Sequence, residues 1–231
     1  MIRFRESGER GQVRSDWLES HHTFSFGDYY DPRHMGFRCL RVINEDWIQP
    51  GAGFPLHPHR DMEILTVVLT GALQHDDDQG GRAVIEAGEV QRISAGRGIR
   101  HSEANPSLDE PVHLLQIWIL PERPDLEPSY EIGQLPAAGH DGLVCIAAPE
   151  GRDAAVSLHQ DARVFAGRLE AGGHLDYTPG ANRHVWLQMT AGNLVLAQQA
   201  MEAGDGAAVS EEKTLTITTG SGARFLLFDL P

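Results

Sequence analysis

Gly51-Ala52-Gly53-Phe54-Pro55-Leu56-His57-Pro58-His59-Arg60-Asp61-Met62-Glu63 sets two histidines two residues apart. Gly88-Glu89-Val90-Gln91-Arg92-Ile93-Ser94-Ala95-Gly96-Arg97-Gly98-Ile99-Arg100-His101-Ser102-Glu103-Ala104-Asn105 repeats that spacing with a histidine and a glutamate. Residues i and i+2 of a β-strand point to one face. Two such strands facing one interior bring His57, His59, His101 and Glu103 together as three imidazoles and a carboxylate. That donor set suits a borderline divalent metal such as Fe(II), Ni(II), Co(II), Cu(II) or Zn(II), and the lack of thiolates separates it from a structural zinc finger. A buried glutamate is costly without compensation, which a cation supplies. Glu63 has the parity of His57 and His59, so the spacing leaves it either as a further ligand or as an outer partner orienting a histidine.

Outward from these segments the chain reads as β almost throughout. Short runs at 64–69, 114–120, 194–197 and 215–218 are rich in Val, Ile, Leu, Thr and aromatics, and glycine-bearing turns separate them. Asp76-Asp77-Asp78-Gln79-Gly80-Gly81 reads as a hairpin tip. Helical periodicity is weak, and many short, closely spaced strands predict sandwiches or barrels. Pro121, Pro124, Pro128 and Pro136 fall in one acidic stretch. Proline cannot donate to a ladder, so this stretch is expected to be a connector and not sheet. The expected organisation is residues 1–125 as an N-terminal unit, 126–139 as a connector and 140–231 as a C-terminal unit.

The two units echo each other. Leu69-Thr70-Gly71-Ala72-Leu73 is answered by Met189-Thr190-Ala191-Gly192-Asn193-Leu194, Glu86-Ala87-Gly88-Glu89 by Glu202-Ala203-Gly204-Asp205, and His113-Leu114-Leu115-Gln116-Ile117 by Arg224-Phe225-Leu226-Leu227-Phe228. The offsets drift through 121, 116 and 111, as in a duplicated fold with shorter loops in its second copy. The first offset carries His57 and His59 onto Thr178 and Gly180, and Glu63 onto His184. The region answering His101 and Glu103, 213–219, holds neither His nor Glu. The C-terminal copy is therefore expected to be metal-free.

Composition narrows the function. The 231 residues carry 33 acidic against 19 basic side chains, a net charge of −14, and Lys213 is the only lysine. Such a chain is repelled by nucleic acid and by anionic membranes, so neither is expected as a partner. Cys39 and Cys145 cannot make a disulfide framework. The N-terminus has no apolar signal region, and no run approaches the ~20 apolar residues of a membrane span. A cytoplasmic monomer is expected. Of the other histidines among the 12, His21 and His22 read as surface or loop residues, His75 beside the acidic turn as solvated, and His113 as packed inside the barrel. Phe54, Leu65, Val67 and Ile117 are candidates for an apolar pocket. The four tryptophans are too scattered for a base-stacking platform.

G-x5-H-x-H-x3-E followed by G-x-G-x2-H-x3-N resembles the two cupin motifs. His57-Pro58-His59-Arg60 with Glu63, and Ser94-Ala95-Gly96-Arg97-Gly98-Ile99 leading into His101-Ser102-Glu103, resemble the pirin family more specifically. So do His22-Thr23-Phe24-Ser25-Phe26-Gly27-Asp28-Tyr29-Tyr30 and the ending Phe225-Leu226-Leu227-Phe228-Asp229-Leu230. The likeness spans essentially the whole chain and is strongest to bacterial pirin-like quercetin 2,3-dioxygenases. One departure from common cupins is the seven residues, in place of six, between Glu63 and Gly71.

The resemblance implies an all-β bicupin of two jelly-roll barrels. Common cupins use the motif-one glutamate as ligand, whereas in pirins the role passes to the motif-two glutamate. The implied ligands are therefore His57, His59, His101 and Glu103, with Glu63 left out. It further implies one divalent metal, Fe(II) first and Ni, Co, Cu or Zn as alternatives. The implied activity is dioxygenase cleavage of a flavonol such as quercetin by O2 with loss of carbon monoxide, and Glu103 is placed to act as the base. A metal- or redox-sensing regulator that binds a protein partner is the rival reading, because fold does not fix function. A sugar-isomerase reading is weaker, since no basic cluster stands near the ligands to hold a phosphate.

Overall fold

Leu40–Ile48, Glu63–Thr70 and Val112–Ile119 are nearly continuous runs of buried residues, because both faces of their sheet are covered. A computed structural model describes residues 1–135 and 140–231 of the chain. Among the described residues there are 21 strands and a single turn of 3-10 helix, Ser7–Glu9. The three buried strands form the centre of a seven-stranded sheet. Its order is Ser129–Gln134, Glu89–Ser94, Glu63–Thr70, Val112–Ile119, Leu40–Ile48, Leu18–His22 and Gly11–Arg14. A four-stranded sheet of Gly53–His59, Ile99–Ala104, Ala72–Asp77 and Arg82–Glu86 closes over its inner face. Together they make the first barrel.

The second barrel is built on a ten-stranded sheet. Val112–Ile119 lies between Glu63–Thr70 and Leu40–Ile48, and Ala223–Leu230, starting 111 residues later, lies between His184–Leu196 and Arg163–Leu169. The echoed glycines also match in conformation. Gly71 and Gly192 have φ of +78° and +71°, and Gly88 and Gly204 have +95° and +87°. At Gly192 a Cβ would stand 2.2 Å from the Gly222 carbonyl oxygen, so both its φ and its neighbour require glycine. The chain is an all-β bicupin, as its motifs imply.

The two interiors differ. Val185, Leu187, Met189, Leu194, Ile217 and Phe225 fill the second barrel with hydrocarbon. The first is layered. Ile48, Val68, Leu73, Ile85 and Leu114 form one apolar layer, and Ile64, Ile93, Ala95 and Ile99 another. Between them the strand register lines up a polar row across the sheet: His22, Asn44, Gln116, Thr66 and Gln91. The main hydrophobic core lies between the barrels, where Leu65, Val67, Leu115 and Ile117 meet Ile146, Val164, Trp186 and Phe228.

Several sequence expectations are corrected. Leu65, Val67 and Ile117 face that inter-barrel core and line no pocket with Phe54. His113 alternates with the inward Leu114 and so stands outside the barrel, stacked on Trp47 at 4.1 Å and bonded to Glu45 at 3.0 Å. The expected connector contains a strand: Ser129–Gln134 pairs antiparallel with Glu89–Ser94. Residues 129–135 lack proline, so their donors are free to form an edge ladder bracketed by Pro128 and Pro136. Residues 136–139 of that segment lie outside the described residues. Ile2–Arg5 pairs with Gly206–Ser210, so the first strand belongs to the second barrel's sheet.

Candidate metal centre

His57 and His59 lie on Gly53–His59, and His101 and Glu103 on the neighbouring Ile99–Ala104. The register sets His101 opposite His57, and the ladder shifts between His101 and Glu103. Ring centroids of the three histidines are 4.5 to 4.8 Å apart. Their ring nitrogens form one group within 4.8 Å, and His75, His101 and Glu103 form a second that shares His101. Glu103 falls in the second group, beside His101 and His75, and not in the first.

The hydrogen bonds prepare lone pairs for a cation. His57 Nδ1 donates to the Pro55 carbonyl at 2.8 Å, so Nε2 is the ring nitrogen left to face a cation. His75 Nε2 donates to Asp77 at 3.0 Å, so its Nδ1 can accept from His101 Nδ1 at 3.2 Å. His101 Nε2 is then a lone pair, and both it and His59 Nε2 are buried without a hydrogen-bond partner. Burial, aided by the neighbouring histidines, pushes His59 down to about 4 and His101 down to about 2. Both rings are neutral at pH 7, the form that binds metal. These orphaned nitrogens and their chemistry fit a divalent transition metal.

Glu103 is 1% exposed. It accepts from Gln116 Nε2 at 2.7 Å and from Gln91 Nε2 at 3.4 Å. Trp118 Nε1 donates to the Gln116 carbonyl oxygen at 3.4 Å, and the Tyr130 hydroxyl donates to that of Gln91 at 2.9 Å. Both amides are thereby turned to present N–H to the carboxylate. Burial holds the Glu103 carboxyl above its usual range, and the Gln116 bond and nearby histidines oppose that rise.

Glu63 takes no part. Ser94 Oγ donates to it at 2.5 Å and the His159 backbone N–H at 3.1 Å, so it ties the first barrel to the second. Strand parity does not carry from His59 to Glu63 because Asp61, at φ +49°, turns the chain between them.

Sequence reasoning missed His75, which is fully buried and packed on Tyr130 at 4.8 Å. It belongs to the hairpin Ala72–Asp77/Arg82–Glu86, whose turn is built by Asp77 accepting from the Gln79 and Gly81 N–H groups. His22 is likewise no surface residue; it is 5% exposed. The signal for both was strand alternation, with His75 two residues after Leu73 and His22 two after Ser20.

Beside the histidines is a cavity of about 500 Å³. Its walls include Phe26, Phe54 and Trp118, and its floor Ser20, His22, Asn44 and Asp46. Phe26 and His59 each meet Trp118 edge-on, at 5.3 and 5.0 Å. The volume is in the range of small-molecule sites, ~300–1,000 Å³.

The Pirin family profile matches residues 3–119, and a profile described as the quercetinase C-terminal cupin domain matches 145–230. The chain is 44% identical over 231 residues to an Escherichia coli K12 protein named quercetin 2,3-dioxygenase, covering 100% of this chain and 99% of that protein. It is 40% identical to a pirin-like protein of Caulobacter vibrioides over 95% of each. The crystal structure of the bacterial pirin YhhW of Escherichia coli in complex with nickel(II) superposes with a TM-score of 0.96 at 44% identity, covering 100% of this chain and 99% of that one. With one profile over half its length and full-length relatives well above 30% identity, the chain belongs to the pirin family.

Proposed function

We propose that this pirin is a metal-dependent dioxygenase that opens the central ring of a flavonol such as quercetin, using O2 and releasing carbon monoxide. The observation that carries the reading is the triad His57, His59 and His101, with the buried Glu103 beside His101, where His57, His59 and Glu103 line an aromatic-walled cavity. His57, His59, His101 and Glu103 are the proposed ligands, and iron(II) is the proposed ion; nickel(II), named in the relative's complex, is the alternative. One divalent ion there would supply Lewis acidity that holds the substrate's 3-oxygen in place for reaction with O2.

The chain's own residues do the rest. Phe26, Phe54 and Trp118 offer faces and edges against which a planar aromatic substrate orders itself, and they keep bulk water off the reacting ring. Glu103 is the proposed base that takes the 3-hydroxyl proton. Gln116 and Gln91 fix the carboxylate's rotation, so proton acceptance needs no search for geometry. Relatives named quercetin 2,3-dioxygenase support the substrate class.

The test is flavonol decay by absorbance, run with oxygen uptake, on protein reconstituted separately with iron(II), nickel(II), cobalt(II), copper(II) and zinc(II). Loss of flavonol matched one-to-one by oxygen uptake with at least one metal is expected. No turnover with any of the five would overturn the reading.

A further inference from the structure

Ser20, His22, Asn44 and Asp46 form two cross-strand pairs, Ser20 with Asp46 and His22 with Asn44, on Leu18–His22 and Leu40–Ile48. All four line the metal-side cavity and are at most 5% exposed. A buried polar group without a partner is uncommon in a folded protein and costs free energy. Here three occur side by side: His22 Nδ1, Asn44 Oδ1 and Asp46 Oδ1. The His22 ring packs against the rings of Phe26 and Tyr29. Gln116, their neighbour in the same polar row, is by contrast fully engaged with Glu103 and Trp118.

The orphaned atoms share a chemical demand. Asn44 Oδ1 and Asp46 Oδ1 can only accept, apart from a protonated Asp46, and His22 can accept or donate through a ring that burial keeps neutral, its pKa down to about 4. They lie on one floor of a cavity whose other walls are Phe26, Phe54 and Trp118. Aromatic walls select a flat ring, and a floor of acceptors selects hydroxyl donors on it.

We propose that this floor is a hydroxyl-recognition subsite: Asn44 and Asp46, with His22 beside them, accept hydrogen bonds from ring hydroxyls of the substrate other than the one at the metal. The inference rests on the flavonol reading above and deepens it, from flavonols in general to polyhydroxylated ones. A site built to bond a hydroxyl rejects the analogue that lacks it far more strongly than an apolar pocket rejects a missing methylene. The subsite therefore sets specificity and takes no part in the proton step at Glu103.

The test compares anaerobic binding of quercetin and of 3-hydroxyflavone, which has the same flavonol core without the other hydroxyls, to the metal-loaded protein. Anaerobic titration separates recognition from turnover. Wild type is expected to bind quercetin roughly tenfold or more tighter than 3-hydroxyflavone. In Asn44→Leu and in Asp46→Leu the ratio should fall toward one, with 3-hydroxyflavone binding retained or improved and metal content unchanged. That retained binding also shows that the variants are folded. Equal binding of the two ligands by wild type, or a ratio unmoved in both variants, would overturn the subsite while leaving the dioxygenase reading to its own turnover assay. Failure of both flavonols to bind wild type would remove the subsite and the flavonol reading together.

Discussion

His101 connects every part of the centre: it is opposite His57 in the ladder, bonds His75, and shares a strand with Glu103. His101→Ala or His57→Ala should abolish metal retention through a desalting step, measured by elemental analysis, while His184→Ala keeps it. His184 bonds Ser210 at 2.7 Å in the apolar second barrel. Equal loss in all three would mean general destabilisation. Asp77→Ala should weaken metal binding by ~10–100-fold, because it frees His75 and with it the tautomer of His101; unchanged affinity would show that the Asp77–His75 pair does not set that tautomer. Glu103→Gln keeps an oxygen donor but loses its basicity. Its turnover per bound metal should drop ~10²–10⁴-fold and recover in part at high pH, where the flavonol is already ionised. Loss of turnover in strict proportion to lost metal would leave Glu103 a ligand only. The HxH and HxE pairs were legible because both partners lie on one uninterrupted strand. The burial of His75 could be read from its alternation with Leu73, but its bond to His101 could not, since that comes from strand pairing across 26 residues of sequence.

At the scale of a strand, alternation explains what the sequence disclosed and what it hid. Leu40–Ile48 is buried on both faces, so its polar members Asn44 and Asp46 look like interruptions until the register shows them facing one cavity. Burial pushes the Asp46 carboxyl up to about 7 from 3.8, with Glu103 and Glu45 adding to the rise. The folded state thus keeps a proton that the unfolded chain gives up. The associated stability is full below pH about 4 and is lost as pH rises through about 7. Asp46→Asn does not titrate. In metal-stripped protein the stability of Asp46→Asn relative to wild type should therefore climb across that window and then level off, read by urea denaturation at several pH values. A difference independent of pH would mean that Asp46 is ionised in the fold throughout. Ser129–Gln134 shows the limit of composition at this scale: the prolines marked the ends of an edge strand, and the paired residues between them carried no signal as strong.

Across the whole molecule, duplication produced two barrels with different interiors. The first holds a polar layer between two apolar ones, and the second encloses one hydrocarbon cluster. Among the described residues the groups of metal-ligating side chains fall in the first barrel, so one metal per chain is expected, bound there. The offsets among the echoed segments made the duplication readable, and the loss of His and Glu at the shifted positions made the asymmetry readable. The inter-barrel ties did not show in sequence, because Glu63, Ser94 and His159 meet only when both barrels are folded. Anomalous diffraction from crystals of the metal-loaded protein, collected at the absorption edge of the loaded ion, tests the centre most directly. The account predicts one strong peak per chain, bonded to His57, His59, His101 and Glu103. A fully loaded protein with no peak among those four side chains, or with a second peak inside the C-terminal barrel, would contradict it.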